Sequence, residues 1–405
     1  MTTGSVRSRR QATTLALALL ISGCASRVRE PAAPEPFVFR SLDLRQQTRT
    51  GQPAWALTAP EARYDLNRQL AQARRPKGIV YRSGKPYLNL DAQRATVLGD
   101  GQAILLEGDV RIVLLGANPV RIYGDQARWL PRQNLMVIDR RPYATDRRAR
   151  IRARSARYRV DLDLVELRGE PFLEQWQQNQ PAAGQRAPAP IRVRARSINW
   201  RPDQGDLSTA NPVRGERFEP VPAARANAAQ TPELLLTASG LKGNLRQGMI
   251  DLLAPVRIRN RSGDTWLNAL QTRWAINDQW LASDLPVSGA VKALRLRGDA
   301  VRINLKEENV LVPRGCVLNQ PGEQLTATTC LWHWPSGRFN AAGDVVLRRD
   351  LYKQITRSAY LEGRLGATGE ALFTTPGARV GSQFTLPPSG SNRSRSQRSG
   401  PPVQF

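Results

Sequence analysis

The chain has 405 residues, 40% of them apolar and 6% aromatic, which is long enough for two or three packed units and rich enough in core formers to fold. Sixty lysines and arginines against 34 aspartates and glutamates give a formal charge of +26, which excludes an ordinary acidic cytosolic surface and points to anionic partners. One histidine and three cysteines exclude a histidine-rich metal centre, a multi-cysteine zinc module and a disulfide-dense miniprotein.

At the N-terminus, Arg7, Arg9 and Arg10 precede the apolar run 13–21 and the small residues Ser22 and Gly23 before Cys24. Basic, apolar and small regions in that order read as an export signal over 1–23, and the apolar run is about half the ~20 residues a spanning helix needs. The tetrapeptide Ile21-Ser22-Gly23-Cys24 resembles the bacterial lipobox, which makes Cys24 the lipidation site and the attached lipid the membrane anchor. Residues 24–36 read as a tether.

From residue 37 onward, short alternating segments replace helical spacing, as in the stretch Ala103-Ile104-Leu105-Leu106-Glu107-Gly108-Asp109-Val110-Arg111-Ile112-Val113-Leu114. Residues 150–161 alternate basic with apolar or small residues, which predicts one strand with its arginines on one face. A looser repeat runs down the chain: a small or aliphatic residue, an anchor two positions later, and a proline about a dozen residues on. It appears at Ala62, Tyr64 and Pro76; at Ala127, Trp129 and Pro142; at Ala156, Tyr158 and Pro171; at Ile198, Trp200 and Pro212; and at Thr272, Trp274 and Pro286. Leu241 with Pro255 and Ile303 with Pro313 read as degraded anchors. A proline at a fixed place sits at a strand start, an edge or a bend, so it marks a recurrent turn on one side of an elongated all-β stack of short antiparallel strands.

Composition divides the stack into a β unit over 37–217, a Pro- and Ala-rich linker over 218–232, a second β unit or a continuation of the first over 233–380, and a disordered Ser/Arg tail over 381–405. Cys316 and Cys330 flank the turn-rich Asn319-Gln320-Pro321-Gly322, and either bridge two antiparallel strands or stay as buried thiols.

The chain has no phosphate-binding glycine loop, no Gly-x-Ser-x-Gly, no His-Glu-x-x-His and no Cys-x-x-Cys. His333 lies between Trp332 and Trp334 with no companion imidazole, and reads as a structural strand residue. A hydrolase would need carboxylates gathered from distant strands. Export of a basic protein argues against nucleic acid as its partner and for envelope polyanions. One reading is therefore a scaffold lipoprotein that engages acidic polysaccharide through a basic β surface.

The stretch Trp55-Ala56-Leu57-Thr58-Ala59-Pro60-Glu61-Ala62-Arg63-Tyr64, the strand-Gly-strand segment 103–114, Ile122-Tyr123-Gly124-Asp125-Gln126-Ala127-Arg128-Trp129 and Arg152-Ala153-Arg154-Ser155-Ala156-Arg157-Tyr158 together resemble the LptC-like, OstA-like family of lipopolysaccharide export proteins. The resemblance covers roughly 37–172 well and the remainder more weakly. It implies a twisted β-jellyroll whose apolar groove holds the acyl chains of lipopolysaccharide, with no catalysis and no cofactor. It also implies passage of that lipid from an inner-membrane Lpt-type ABC transporter to LptA-like bridge proteins docked at edge strands. Under it, Ile104, Leu106, Ile112, Leu114, Trp129 and Tyr158 are groove residues, and Arg150, Arg152, Arg154 and Arg157 meet the anionic headgroup. Two departures stand out: lipidation in place of a transmembrane helix, and about twice the usual length. Ala25 lacks the acidic character that retains some lipoproteins at the inner membrane, although the family's own position favours that membrane.

Overall fold

The computed structural model describes residues 37–116, 119–145, 149–175, 191–218, 231–364, 371–377 and 379–385. The export signal, Cys24 and the tether lie outside the described residues. So do most of the 218–232 linker and of the 381–405 tail.

The unit from Phe37 onward is built from strands that pair antiparallel in two ladders. Sheet I begins with Phe37–Phe39, Glu61–Asp65, Leu70–Arg74 and Arg94–Leu98, and continues through Leu135–Arg140, Ser155–Arg159, Leu164–Arg168 and Ser197–Arg201. Sheet II begins with Leu42–Gln47, Pro53–Ala59, Lys77–Arg82 and Lys85–Asp91, and continues through Tyr143–Thr145, Ala149–Arg152, Phe172–Gln175 and Ile191–Ala195. The chain visits the sheets alternately, laying two strands in each before crossing back. Pairing continues from Val213–Phe218 to Pro232–Ala238, on either side of the linker.

The predicted prolines all fall at one kind of place. Pro76, Pro142, Pro171, Pro212, Pro255, Pro286 and Pro313 each stand between a strand of sheet I and the next strand of sheet II. Proline has no N–H to give a ladder, and its fixed φ suits an abrupt exit from one sheet. The hairpins within sheet I lie at the far margin and close with four-residue turns whose last residue is left-handed. Gln69, Asn134, Asp163, Gln279 and Glu308 have φ near +50°, and Gly205, Gly248 and Gly337 fill the same place.

Two hairpins span both sheets. Ala103–Leu114 pairs with Val120–Leu130, and Arg338–Arg349 with Gln354–Arg364. The leading strand of each has twelve residues with Gly-Asp-Val at its centre, and the ladder shifts register there. Gly108-Asp109 and Gly343-Asp344 are left-handed, the bulge conformation that bends a strand out of one sheet and into the other.

Two expectations are corrected. Residues 150–161 do not form one strand: Ala149–Arg152 lies in sheet II and Ser155–Arg159 in sheet I. The chain crosses at Ala153 and Arg154, whose N–H groups donate to the carbonyls of Pro142 and Arg168. The composition of residues 381–405 hides a strand, Gly381–Gln383, which pairs with Ile355 to Arg357 because that spanning strand presents an unpaired edge.

Candidate functional site

The two sheets face each other across an apolar interior. Ile104, Leu106 and Trp129 from sheet I pack with Leu57, Val80 and Leu90 from sheet II in one core that runs from Trp55 to Leu305. A second, separate core spans Val312 to Leu361. Cys316 in sheet II and Cys330 in sheet I are joined there by a disulfide with Cα atoms 6.0 Å apart.

The sequence anchors converge on the inner face of sheet I. Successive register partners link Tyr64, Ala71, Val97, Ile104, Trp129 and Met136 in one row. The row continues through Tyr158, Val165, Trp200 and Leu207 to Gly243, then through Ile250 to Trp274 and on to Ile303 and Trp332. Leu241 is not an anchor in this row. It holds the position two before one, and Gly243 occupies the anchor place, where a Cβ would come within 2.6 Å of the Met249 carbonyl oxygen. Trp332, two residues after Cys330, takes an anchor place in this row, but no proline follows it about a dozen residues on, so the repeat did not mark it.

All six groove candidates point inward, and none is more than 3% exposed. Ile112 and Leu114 come from the sheet II half of the first spanning hairpin, and the other four from sheet I. The space left between Trp55, Leu90, Leu106 and Trp129 is only about 10 Å³, close to the least that holds one water. The indole N–H groups of Trp129 and Trp274 are buried in this interior without a hydrogen-bond partner.

At the hairpin margin a polar cluster ties the sheets together. Tyr87 of sheet II donates to Asp163 Oδ1 at 2.9 Å, and Tyr158 of sheet I lies 2.9 Å from the Tyr87 hydroxyl and 3.4 Å from the same carboxylate oxygen. The Asp203 N–H donates to Asp163 Oδ2 at 2.8 Å, and Arg82 pairs with Asp203 at 3.2 Å while its guanidinium lies 5.0 Å from the centre of the Tyr87 ring. Burial raises the Asp163 carboxyl above the ordinary carboxylate range, against the opposing pull of the Asp203 N–H and the Tyr87 hydroxyl. Burial likewise raises both tyrosine hydroxyls, so they remain donors. The repeat marked Tyr158. It did not mark Tyr87 or Asp163, for which the available signal was a short polar side chain at a left-handed turn position beside a buried strand.

The four headgroup arginines do not come together. Arg150 and Arg152 lie on the outer face of sheet II, Arg154 at the crossing, and Arg157 on the outer face of sheet I, opposite Val137 and Glu166. Among the described residues no group of three or more His, Cys, Asp or Glu side chains is placed to hold a metal ion.

With the two-sheet interior and its row of anchors in place, residues 21–170 match the model of the family described as Lipopolysaccharide-assembly, LptC-related. That segment is similar to the LptC-related family. It contains all six groove candidates, the first spanning hairpin and the Tyr87–Asp163 cluster, while Trp200, Trp274 and Trp332 carry the row beyond it. Among solved structures, the chain is similar to the crystal structure of LptH, the LptA homologous periplasmic component of the lipopolysaccharide transport device from Pseudomonas aeruginosa. The identity is 14%, the alignment covers 29% of this chain and 83% of that one, and the TM-score is 0.26. No curated protein sequence matches the chain.

Proposed function

We propose that the protein is a non-catalytic envelope lipoprotein that takes the acyl chains of lipopolysaccharide between its two sheets and relays the lipid from an inner-membrane ABC transporter toward the outer membrane. The observation that carries this reading is the inward row of Ile104, Trp129 and Tyr158, inside the segment that matches the LptC-related family. In the closed form the interior is filled by its own side chains, so acyl entry requires the sheets to part at the hairpin margin, where the Tyr87–Tyr158–Asp163 cluster holds them. The unpartnered N–H groups of Trp129 and Trp274 support the reading, because a buried unsatisfied donor costs about 1–3 kcal/mol and an acyl ester carbonyl would satisfy it. Lipidated Cys24 anchors the chain at the periplasmic side of the inner membrane. LptA-like bridge proteins and the transporter add strands to the terminal edges. These include Phe37–Phe39, whose three side chains are 57, 61 and 46% exposed, and Ala371–Thr374 at the other end.

Photoreactive phenylalanine at Trp129 and at Tyr158, aromatic replacements of similar size, tests the interior in the native envelope. Lipopolysaccharide adducts at both positions and none at Arg157 are the expected result. Adducts at Arg157 alone, or at none of the three, would remove the carrier reading.

A further inference from the structure

The outer face of sheet II carries a second feature that the interior does not explain. Tyr123, Tyr143, Arg152, Phe172, Arg194 and Arg214 are consecutive register partners across five ladders, so all six side chains emerge on one line at right angles to the strands. Arg152, Arg194 and Arg214 are exposed, and so is Tyr143. The rings of Tyr123 and Tyr143 stack 4.7 Å apart at 15°, and the guanidinium of Arg194 lies 5.1 Å from the centre of the Phe172 ring. The line begins in an open cleft of about 890 Å³ where the first spanning hairpin bends, lined by both tyrosines, by Arg150 and Arg152, and by the pairs Arg111–Asp91 and Arg141–Asp125.

Each part of this surface limits what fits it. Guanidiniums supply forked donors for phosphate or carboxylate, and an apolar ring face stacks on a sugar ring. The aspartates, each paired with an arginine, accept hydrogen bonds from sugar hydroxyls, which suits a hydroxyl-rich chain better than the phosphate backbone of a nucleic acid. Strands ~4.8 Å apart set side chains at a spacing commensurate with successive pyranose rings. We infer that the line from Tyr123 to Arg214 is a binding site for an anionic oligosaccharide, separate from the apolar interior. This does not rest on the interior's holding acyl chains. It adds a place for a saccharide outside while a lipid lies inside.

Full-length protein in detergent is titrated with three probes: fully deacylated lipopolysaccharide, which keeps its sugars and phosphates but has no acyl chain; a polyuronate; and neutral dextran. Binding of at least one anionic probe and not of dextran is expected, weakened about ten-fold or more in Arg152→Gln/Arg194→Gln and in Tyr143→Ala, and unchanged in Arg157→Gln on the opposite outer face. Preference for the deacylated lipopolysaccharide identifies the ligand as the carried lipid's own saccharide, and preference for polyuronate identifies a free acidic polysaccharide. No binding of either anionic probe, equal binding of dextran, or equal loss in Arg157→Gln would overturn the site. None of these outcomes bears on adducts at Trp129 and Tyr158. Unchanged thermal transitions check that the surface variants are folded.

Discussion

The hydroxyls of Tyr87 and Tyr158 meet 2.9 Å apart, one from each sheet, at the margin where nothing covalent joins the sheets in the N-terminal core. Both rings are buried, and both hydroxyls converge on the carboxylate of Asp163. Removing the closer donor with Tyr87→Phe should cost about 2 kcal/mol, and Tyr158→Phe about 1 kcal/mol, because a buried carboxylate that loses a donor keeps its desolvation penalty. Urea denaturation of both single variants and the double should give a clearly non-additive cycle. Additive losses would mean that the three groups do not act together.

Asp163 gives the cluster a pH dependence of definite sign. Its carboxyl is raised, so between its ordinary value and its folded value the native state binds more protons than the unfolded one, and its contribution to stability falls as pH rises through that window. The stability difference between wild type and Asp163→Asn should therefore shift in favour of wild type as pH is lowered from neutrality toward the carboxylate range. Thermal unfolding of the two proteins across that range checks it. A difference that moves the opposite way would mean that the hydrogen bonds from the Asp203 N–H and the Tyr87 hydroxyl outweigh burial and hold the carboxyl below its ordinary value. Taking the difference cancels the many exposed Arg–Asp pairs, which weaken on acidification in both proteins.

The disulfide between Cys316 and Cys330 encloses a short loop and ties the sheets within the C-terminal core. Replacing both cysteines with alanine should destabilise that core by about 3 kcal/mol in the chain-entropy account. Hydrogen exchange should show the loss between Val312 and Leu361 and leave the strands before Leu305 protected. Uniform loss along the chain would show that the two cores unfold as one.

Gly101 approaches the N-terminal end of the interior in a left-handed conformation, φ +91°, and a Cβ there would lie 2.8 Å from Trp55 Cζ2. Gly101→Ala should cost about 1–3 kcal/mol in backbone strain. It should also displace the Trp55 ring, which now donates from Nε1 to Gln46 Oε1 at 2.7 Å. A change in tryptophan emission together with a lower urea midpoint is the expected pair of readouts.

Much of this architecture could be read from the sequence because one geometry repeats. Each proline crossing and each anchor recurs for the same steric reason, so the all-β stack and the recurrence of Trp129, Tyr158, Trp200 and Trp274 follow from spacing, whereas the inward face of Trp129 and Tyr158 came only with the family resemblance and that of Trp200 and Trp274 only with the register. The arginine face of residues 150–161 did not survive, because the alternation of a strand in sheet II runs in phase into a strand in sheet I and only the crossing at Ala153 and Arg154 separates them. A period of two is blind to such a change of sheet. The Tyr87–Asp163 contact was out of reach for a different reason: it joins residues 76 apart, from different repeats, and depends on how the two sheets face each other.

The matching Gly-Asp-Val centres of Ala103–Leu114 and Arg338–Arg349 bracket a modular ruler. Twelve strands of sheet I lie between the two spanning hairpins, which at ~4.8 Å per strand sets them about 60 Å apart along the ladder. Every strand between them pairs only with near neighbours in the chain, so a repeat could be gained or lost without disturbing either bracket. Two strands per sheet per repeat make the length of the stack adjustable in increments of about 10 Å, a quantity selection can tune without redesigning either end.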